Sequence, residues 1–253
     1  MFSHLYNLFI GDVNDLCYRS ALDYLPERAA ILDVGIGNGA MLKRYHGVIR
    51  AKHLKITGID INGPYLRHCR DLIRRHGLEE AIDVHHAPVE SYCPPADRCF
   101  DFIFFSMSFM LFKDPSLVLD RVKAWLKPGG GVLFFQTVFR ERSLLMDVVK
   151  PRLKYVTSVD FGRVTYERDF FRLLAQKELA VREDRLLRRN LFKGEYRFIV
   201  SAPGNGAATS SPPPPGGPPR GPSFPRGSLH GRSGRSCSSC GSSTPWASSA
   251  PDP

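Results

Sequence analysis

The chain has 253 residues, with 35 Lys and Arg against 25 Asp and Glu, a formal charge of +10, and 43% apolar positions. That is material for one globular domain, alone or with an appendage. No apolar run reaches the roughly 18 to 20 residues that cross a bilayer, and the polar start at Ser3 and His4 lacks the basic flank of a signal peptide; both speak against a spanning or classically secreted protein.

In chain order, Val13, Leu16, Cys17, Ala21 and Leu22 recur at helical spacing and predict a leading helix. Residues 30–34, 56–59, 82–85, 100–105 and 132–137 read as short apolar strands, and 41–46, 64–76 and 115–126 between them as helices. Pro64 and Pro115 suit first-turn positions, where a missing N–H is harmless, and Gly77 suits the left-handed residue after a helix end. Phe170, Leu173 and Leu174 mark another helical stripe, followed by strands near 180–186 and 196–201. This alternation predicts an α/β fold, a mostly parallel sheet covered by helices. Residues 203–253 hold 12 of the 20 Pro, 9 of the 22 Gly, 12 Ser and one acid, Asp252. So little apolar area cannot offset chain entropy, and we expect a folded domain over 1–202 and a disordered tail over 203–253.

Cys17, Cys69, Cys93 and Cys99 are spaced like neither a zinc ribbon nor a compact disulfide framework, so they read as buried or free thiols of a cytoplasmic or other reducing compartment. The tail pair Cys237 and Cys240 lacks a second pair and reads as neither a metal nor a redox site.

The strongest chemical signal is Ile31-Leu32-Asp33-Val34-Gly35-Ile36-Gly37-Asn38-Gly39-Ala40, an apolar strand running into a glycine-rich turn before a helix. Glycines there let the backbone turn sharply and approach a ligand where a Cβ would collide. The second strand ends at Asp60, 21 residues beyond Gly39, where a carboxylate can accept hydrogen bonds from two ribose hydroxyls. Gly35, Gly37 and Ala40 also satisfy the relaxed dinucleotide fingerprint. Asp33 separates the two readings, because an acid beside the first glycine sits badly near a pyrophosphate and well near a cationic amino-acid end.

Four segments in order, Asp33-Val-Gly-Ile-Gly-Asn-Gly39, Gly58-Ile-Asp60-Ile-Asn62, Phe100-Asp101-Phe-Ile-Phe-Phe-Ser106 and Trp125-Leu-Lys-Pro-Gly-Gly130, resemble the class I S-adenosylmethionine-dependent methyltransferases over residues 5–201. The resemblance implies a doubly wound, Rossmann-like sheet of seven strands with an antiparallel last strand. It implies S-adenosyl-L-methionine as cofactor, with Asp33 and the loop Gly35, Gly37, Asn38 and Gly39 at its methionine end, Asp60 at its ribose, Ile61 flanking its adenine and Ser106 along its edge. The family often has Asp or Asn after the third strand for the adenine amino group; here stands His86-Ala87-Pro88-Val89-Glu90, which leaves backbone groups or Glu90 for that contact.

No metal pair is evident, and no Asn-Pro-Pro-Tyr or Asp-Pro-Pro-Tyr follows the fourth strand, which disfavours methylation of an exocyclic base amine. Ser106-Met107-Ser108-Phe109-Met110-Leu111-Phe112 instead sets large apolar side chains where an acceptor would lie, and Met107 and Phe109 are the candidate acceptor residues. Tyr6, in His4-Leu5-Tyr6-Asn7-Leu8-Phe9-Ile10, joins them, since that segment resembles the stretch that closes over the cofactor in methyltransferases of lipids and quinones. Basic groups recur at Arg67, Arg70 and Arg74, at Lys150, Arg152 and Lys154, and at Arg185, Arg188 and Arg189. They suggest attraction to phosphate, with peripheral membrane contact ranked above nucleic acid. The resulting expectation is methyl transfer to a small amphipathic acceptor, a lipid head group or quinone-like ring. Its rivals are an RNA methyltransferase or RNA-binding module, and a catalytically silent methyltransferase fold used for interaction.

Overall fold

The structure is a computed structural model whose described residues are 13, 15–95, 99–141, 163–190 and 193–204. Helix α1 (15–24) leads into β1 (Ala30–Val34), α2 (Ala40–Ala51), β2 (Lys55–Asp60), α3 (Gly63–Arg75), β3 (Ile82–His86), β4 (Phe100–Ser106) and a 3-10 turn at Phe109–Leu111. Then come α4 (Pro115–Ala124), β5 (Leu126–Phe139), the two-residue β6 (Thr165–Tyr166), α5 (Glu167–Gln176), β7 (Leu179–Arg189) and β8 (Gly194–Pro203).

The strands form one sheet in the order β3-β2-β1-β4-β5-β8-β7, with β6 paired to β5 off that path. Neighbours from β3 to β5 are parallel, and β8 runs antiparallel between β5 and β7. Such a sheet is buried on both faces, which is why β4 and β5 carry nearly unbroken apolar runs. Alternate residues serve opposite layers: Phe104, Leu133 and Phe135 pack with Cys17, Leu42 and Leu66 of α1, α2 and α3. Ile103, Phe105 and Phe134 pack with Val118, Leu119 and Leu174 of α4 and α5.

Local chemistry sets the helix ends. The Asn62 side chain accepts from the Tyr65 N–H at 3.0 Å and Asp114 accepts from the Leu117 N–H at 3.0 Å, with Pro64 and Pro115 in the first turns behind them. At the other end of α3, Gly77 takes φ +59° and the Leu78 N–H donates back to the Ile73 carbonyl.

Differences from the predicted elements are local. β5 begins at Leu126 and passes through the Pro-Gly-Gly turn with a register shift between Phe100 and Phe102, a kink that polar, glycine-rich residues hide from a search for apolar runs. β8 continues to Pro203, one residue past the expected boundary. Cys17 and Cys69 are buried free thiols, as expected, and Cys99 is half-buried, whereas Cys93, exposed on the loop after β3, is disulfide-bonded. No helix among the described residues is long and apolar enough to cross a membrane.

The topology also places the site. The chain winds outward from β1 through β2 to β3, then returns to β4 on the other side of β1, so the loops after β1 and β4 diverge and open a crevice at the strands' carboxyl ends.

Candidate functional site

At that crevice the turn after β1 is held by its neighbours' backbones: the Gly35 and Ile36 N–H groups both donate to the Ile59 carbonyl, at 2.8 and 3.2 Å. Its three glycines have different physical reasons. A Cβ on Gly35 would stand 2.6 Å from the Ser108 Cβ, and one on Gly39 2.8 Å from the Cys69 sulfur, so both positions are closed by the protein itself. Gly37 has φ +63°, and its Cβ would meet only the Gly35 carbonyl oxygen, at 4.0 Å. It is the open side of the turn, where a ligand can approach the backbone. Asn38 is exposed beside it.

Asp60 ends β2 and clamps this turn. One carboxylate oxygen accepts from the Gly37 N–H at 2.8 Å and the other from the Asn62 N–H at 2.7 Å. Each oxygen keeps a further lone pair for an outside donor. Ile61, next in sequence, is 73% exposed. Its carbonyl accepts from His86 Nε2 at 3.0 Å, which fixes the end of β3 against the start of α3.

Asp33 is the anomaly of the molecule. It is 1% exposed, and neither carboxylate oxygen has a hydrogen-bond partner. Burial first, and the charge of Asp60 second, push it up to about 7. The groups around it give no relief. Cys17 and Tyr18 of α1 and Cys69 of α3 are all raised, by burial foremost and by the Asp33 charge as well, Cys69 to about 12. A carboxylate buried in this way is costly as an anion, and a cation or donors brought from outside would favour its charged form.

The β4 end closes the other wall. Ser106 is half-buried, its hydroxyl 3.2 Å from the Cys17 sulfur. Met107 is half-buried with φ +55°, a rare conformation for a side-chain-bearing residue, and its N–H donates to the Phe135 carbonyl at 2.8 Å. This turn delivers Ser108 onto the glycine loop, where its hydroxyl donates to the Val34 carbonyl.

The crevice thus brings together Asp33, Gly35, Gly37, Asn38, Gly39, Asp60 and Ile61, with Ser106 and Met107 on the β4 side. Glu90 is exposed on the loop after β3. Tyr6 lies outside the described residues. Phe109 requires a correction as an acceptor residue: it is 5% exposed, with its ring against Phe105, Phe112, Phe134 and Phe170 at centroid distances of 5.0 to 6.3 Å. It is a core ring, because the 3-10 turn directs it into the α4–α5 layer. Ser108, Cys17 and Tyr18 were missed as site residues; only the helical spacing of α1 hinted that its inner face meets the β1 end.

Two surface cavities, of about 610 and 410 Å³, lie at the opposite, amino ends of the strands, lined by Ala30, Lys55, Ile82 and Phe100 and by Arg28, Asp101 and Gly130. They lack the crevice's convergence of an orphaned acid, open backbone and a positive-φ turn.

Residues 32–134 match the family model described as a methyltransferase domain, and that span runs from β1 through the middle of β5, taking in the glycine turn, Asp33, Asp60 and the β4 end of the crevice but not α1. Over that span, 103 of its 253 residues, the chain is similar to methyltransferase domains. It is 34% identical over 113 residues, 45% of its own length and 19% of the relative's, to a glycine/sarcosine/dimethylglycine N-methyltransferase of Actinopolyspora halophila. It is 25% identical over 162 residues, covering 61% of itself and 59% of the relative, to malonyl-[acyl-carrier protein] O-methyltransferase 2 of Ilyobacter polytropus. The chain therefore spans less than two thirds of the length of these relatives. Among solved structures, a geranyl diphosphate methyltransferase in complex with SAM superposes with a TM-score of 0.59 at 14% identity, over 74% of this chain and 84% of that one, a likeness of fold.

Proposed function

We propose that this methyltransferase domain binds S-adenosylmethionine at the ends of β1 and β2 and transfers its methyl group to a small amphipathic molecule. The observation that carries the reading is the Asp33 carboxylate, buried without a partner beside an open glycine turn. The cofactor's amino-acid end supplies the cation and donors that Asp33 lacks, the free face of Gly37 admits it, and the remaining lone pairs of Asp60 suit its ribose hydroxyls. Ile61 offers an exposed apolar surface for the adenine. Glu90 or the backbone after β3 would take the adenine amino group.

When bound, the cofactor supplies an electrophilic methyl on a sulfonium, displaced in line by the acceptor. The chain's part is to hold donor and acceptor in register and keep water out, which is worth about 7 to 11 kcal/mol in ideal cases. Ser106 and Met107, half-buried at the end of β4, are the groups the chain would set beside that transfer. An amphipathic acceptor fits the half-buried Met107 and Phe112 and the 46% exposed Leu111 that follow them. The relatives' printed names span an amine, a carrier-bound malonyl group and an isoprenoid diphosphate, all small acceptors or their carriers. The test is calorimetry with S-adenosylmethionine and NADH, then incubation with labelled cofactor and fractionated small-molecule extract. Cofactor binding followed by label in a lipid-soluble fraction is expected; tight NADH binding with none of S-adenosylmethionine would overturn the reading.

A further inference from the structure

Residues 40–77, from the start of α2 to the turn after α3, hold nine Lys and Arg and four His against two acids, Asp60 and Asp71. Asp60 is occupied by the glycine turn and Asp71 by Arg74. A net +7 of the chain's +10 therefore belongs to this one segment. Lys43, Arg44, Arg50, Arg67, Arg74 and Arg75 are all exposed on it. At the seam of the two helices the His46 and His76 rings stack, 4.0 Å apart and 15° from parallel, and Arg50 donates to the His76 carbonyl at 2.5 Å. The His76 ring is held below its ordinary pKa by desolvation and then by the charges of His46, Arg50 and Arg75; no acid acts in the other direction.

The second basic region differs in this respect. On β7 and β8, Arg185 pairs with Glu183, Arg189 with Glu195, and Arg197 with Asp184 and Glu167. Those arginines are held by acids of the sheet and of α5; on α2 and α3, Arg44 pairs with Asp15 and Arg74 with Asp71, while Lys43, Arg67 and Arg75 are exposed. Among the cations stand two exposed apolar side chains, Val48 at 38% and Tyr65 at 45%. Arg70 is committed to the Val84 carbonyl and Arg74 to Asp71, so neither guanidinium is held open for reading bases. Diffuse positive charge with interspersed apolar groups suits a diffuse anionic layer with an apolar interior.

We propose that the outer face of α2 and α3 docks on an anionic lipid surface, with Lys43, Arg67 and Arg75 toward the phosphates and Val48 and Tyr65 among them. Docking does not depend on the methyl-transfer reading. If both hold, the start of α3, which follows Asp60 directly, sets the crevice mouth at the lipid boundary, where an amphipathic acceptor resides.

The experiment is co-sedimentation of the full chain with phosphatidylcholine vesicles with and without phosphatidylglycerol, at low and high salt. Binding to the anionic vesicles alone is expected, weakened by salt, and roughly hundredfold weaker in the Lys43→Gln/Arg67→Gln/Arg75→Gln variant, at about fivefold for each cation removed. Should the triple variant melt early, Lys43→Gln and Arg67→Gln singly are expected to lose about fivefold each. A tail variant, Arg220→Gln/Arg226→Gln/Arg232→Gln/Arg235→Gln, keeps wild-type binding. Undiminished binding in the helix variants, loss in the tail variant alone, or binding of RNA with none of anionic vesicles overturns the proposal. Calorimetry of S-adenosylmethionine on the same preparations reports separately on the cofactor site.

Discussion

A buried carboxylate with no partner is a cost to the folded protein, and the sign of that cost is measurable. Asp33 ionises at about 7 in the folded state against 3.8 ordinarily, so between those values the folded chain keeps a proton that the unfolded chain has lost. Stability therefore falls as pH rises through that window, by an amount on the order of 4 kcal/mol once both states are ionised. Asp33→Asn is expected to raise the melting temperature most at pH 8, less at pH 5, where only part of that window has been crossed, and little at pH 3, where Asp33 is neutral in both states. Cofactor affinity should behave oppositely, rising with pH toward 7 and then levelling in the wild type, and staying weak and flat in Asp33→Asn. Calorimetry in buffers of different ionisation enthalpy would show release of one proton on binding at pH 6; its absence would remove Asp33 from the site. Asp60→Ala removes two charged hydrogen bonds within the turn as well as the acceptor for a ribose. A loss of about 1.5 to 3 kcal/mol in cofactor binding is expected by titration.

The glycine turn separates stability from binding. Gly39→Ala brings a methyl within 2.8 Å of the Cys69 sulfur and 3.3 Å of its Cα, in a left-handed residue. Destabilisation of about 1 to 3 kcal/mol is expected in urea unfolding. Gly37→Val meets no such protein neighbour, so it should stay folded, with only the strain of its φ, while the side chain fills the ligand's approach and cofactor binding is lost. A folded Gly37→Val variant with wild-type affinity would sink the assignment. In β5, Gln136 is wholly buried and neither its amide oxygen nor its nitrogen has a partner. Gln136→Met keeps the volume and removes the orphaned groups, so its melting temperature should rise by a few degrees. Phe109→Ala, by contrast, empties a ring site touched by four other rings and should cost about 3 to 5 kcal/mol of stability.

At the scale of the whole molecule, the sheet of the described residues ends at β8, where Pro203 pairs with Leu179 and the Gly204 N–H donates to the Glu178 carbonyl at 2.8 Å. We propose that residues 205–253 add nothing to this fold. A chain ending at Gly204 is expected to unfold in one transition with the full-length midpoint and unchanged cofactor affinity. Loss of cooperativity in calorimetry would assign the tail to the domain.

The sheet was legible in the sequence because a strand buried on both faces must be apolar along its length: β1 at Ala30–Val34 stands out as Ala-Ile-Leu-Asp-Val, and β4 as Phe-Asp-Phe-Ile-Phe-Phe-Ser. The glycine turn, the acid at the end of β2, the first-turn prolines Pro64 and Pro115 and the left-handed Gly77 were legible for the same kind of reason, since each is a short-range demand on one stretch of chain. What periodicity cannot report is which side chains of distant segments meet. That Asp33 has no partner, that Cys17 and Tyr18 of α1 stand over it, that Ser108 closes Gly35, and that Phe109 turns into the core all depend on contacts between residues far apart in sequence. Whether a carboxylate is solvated or stranded depends on what the rest of the fold places around it, so the residue types and their order were set by local chemistry, and the ligand-hungry acid only by the assembled sheet.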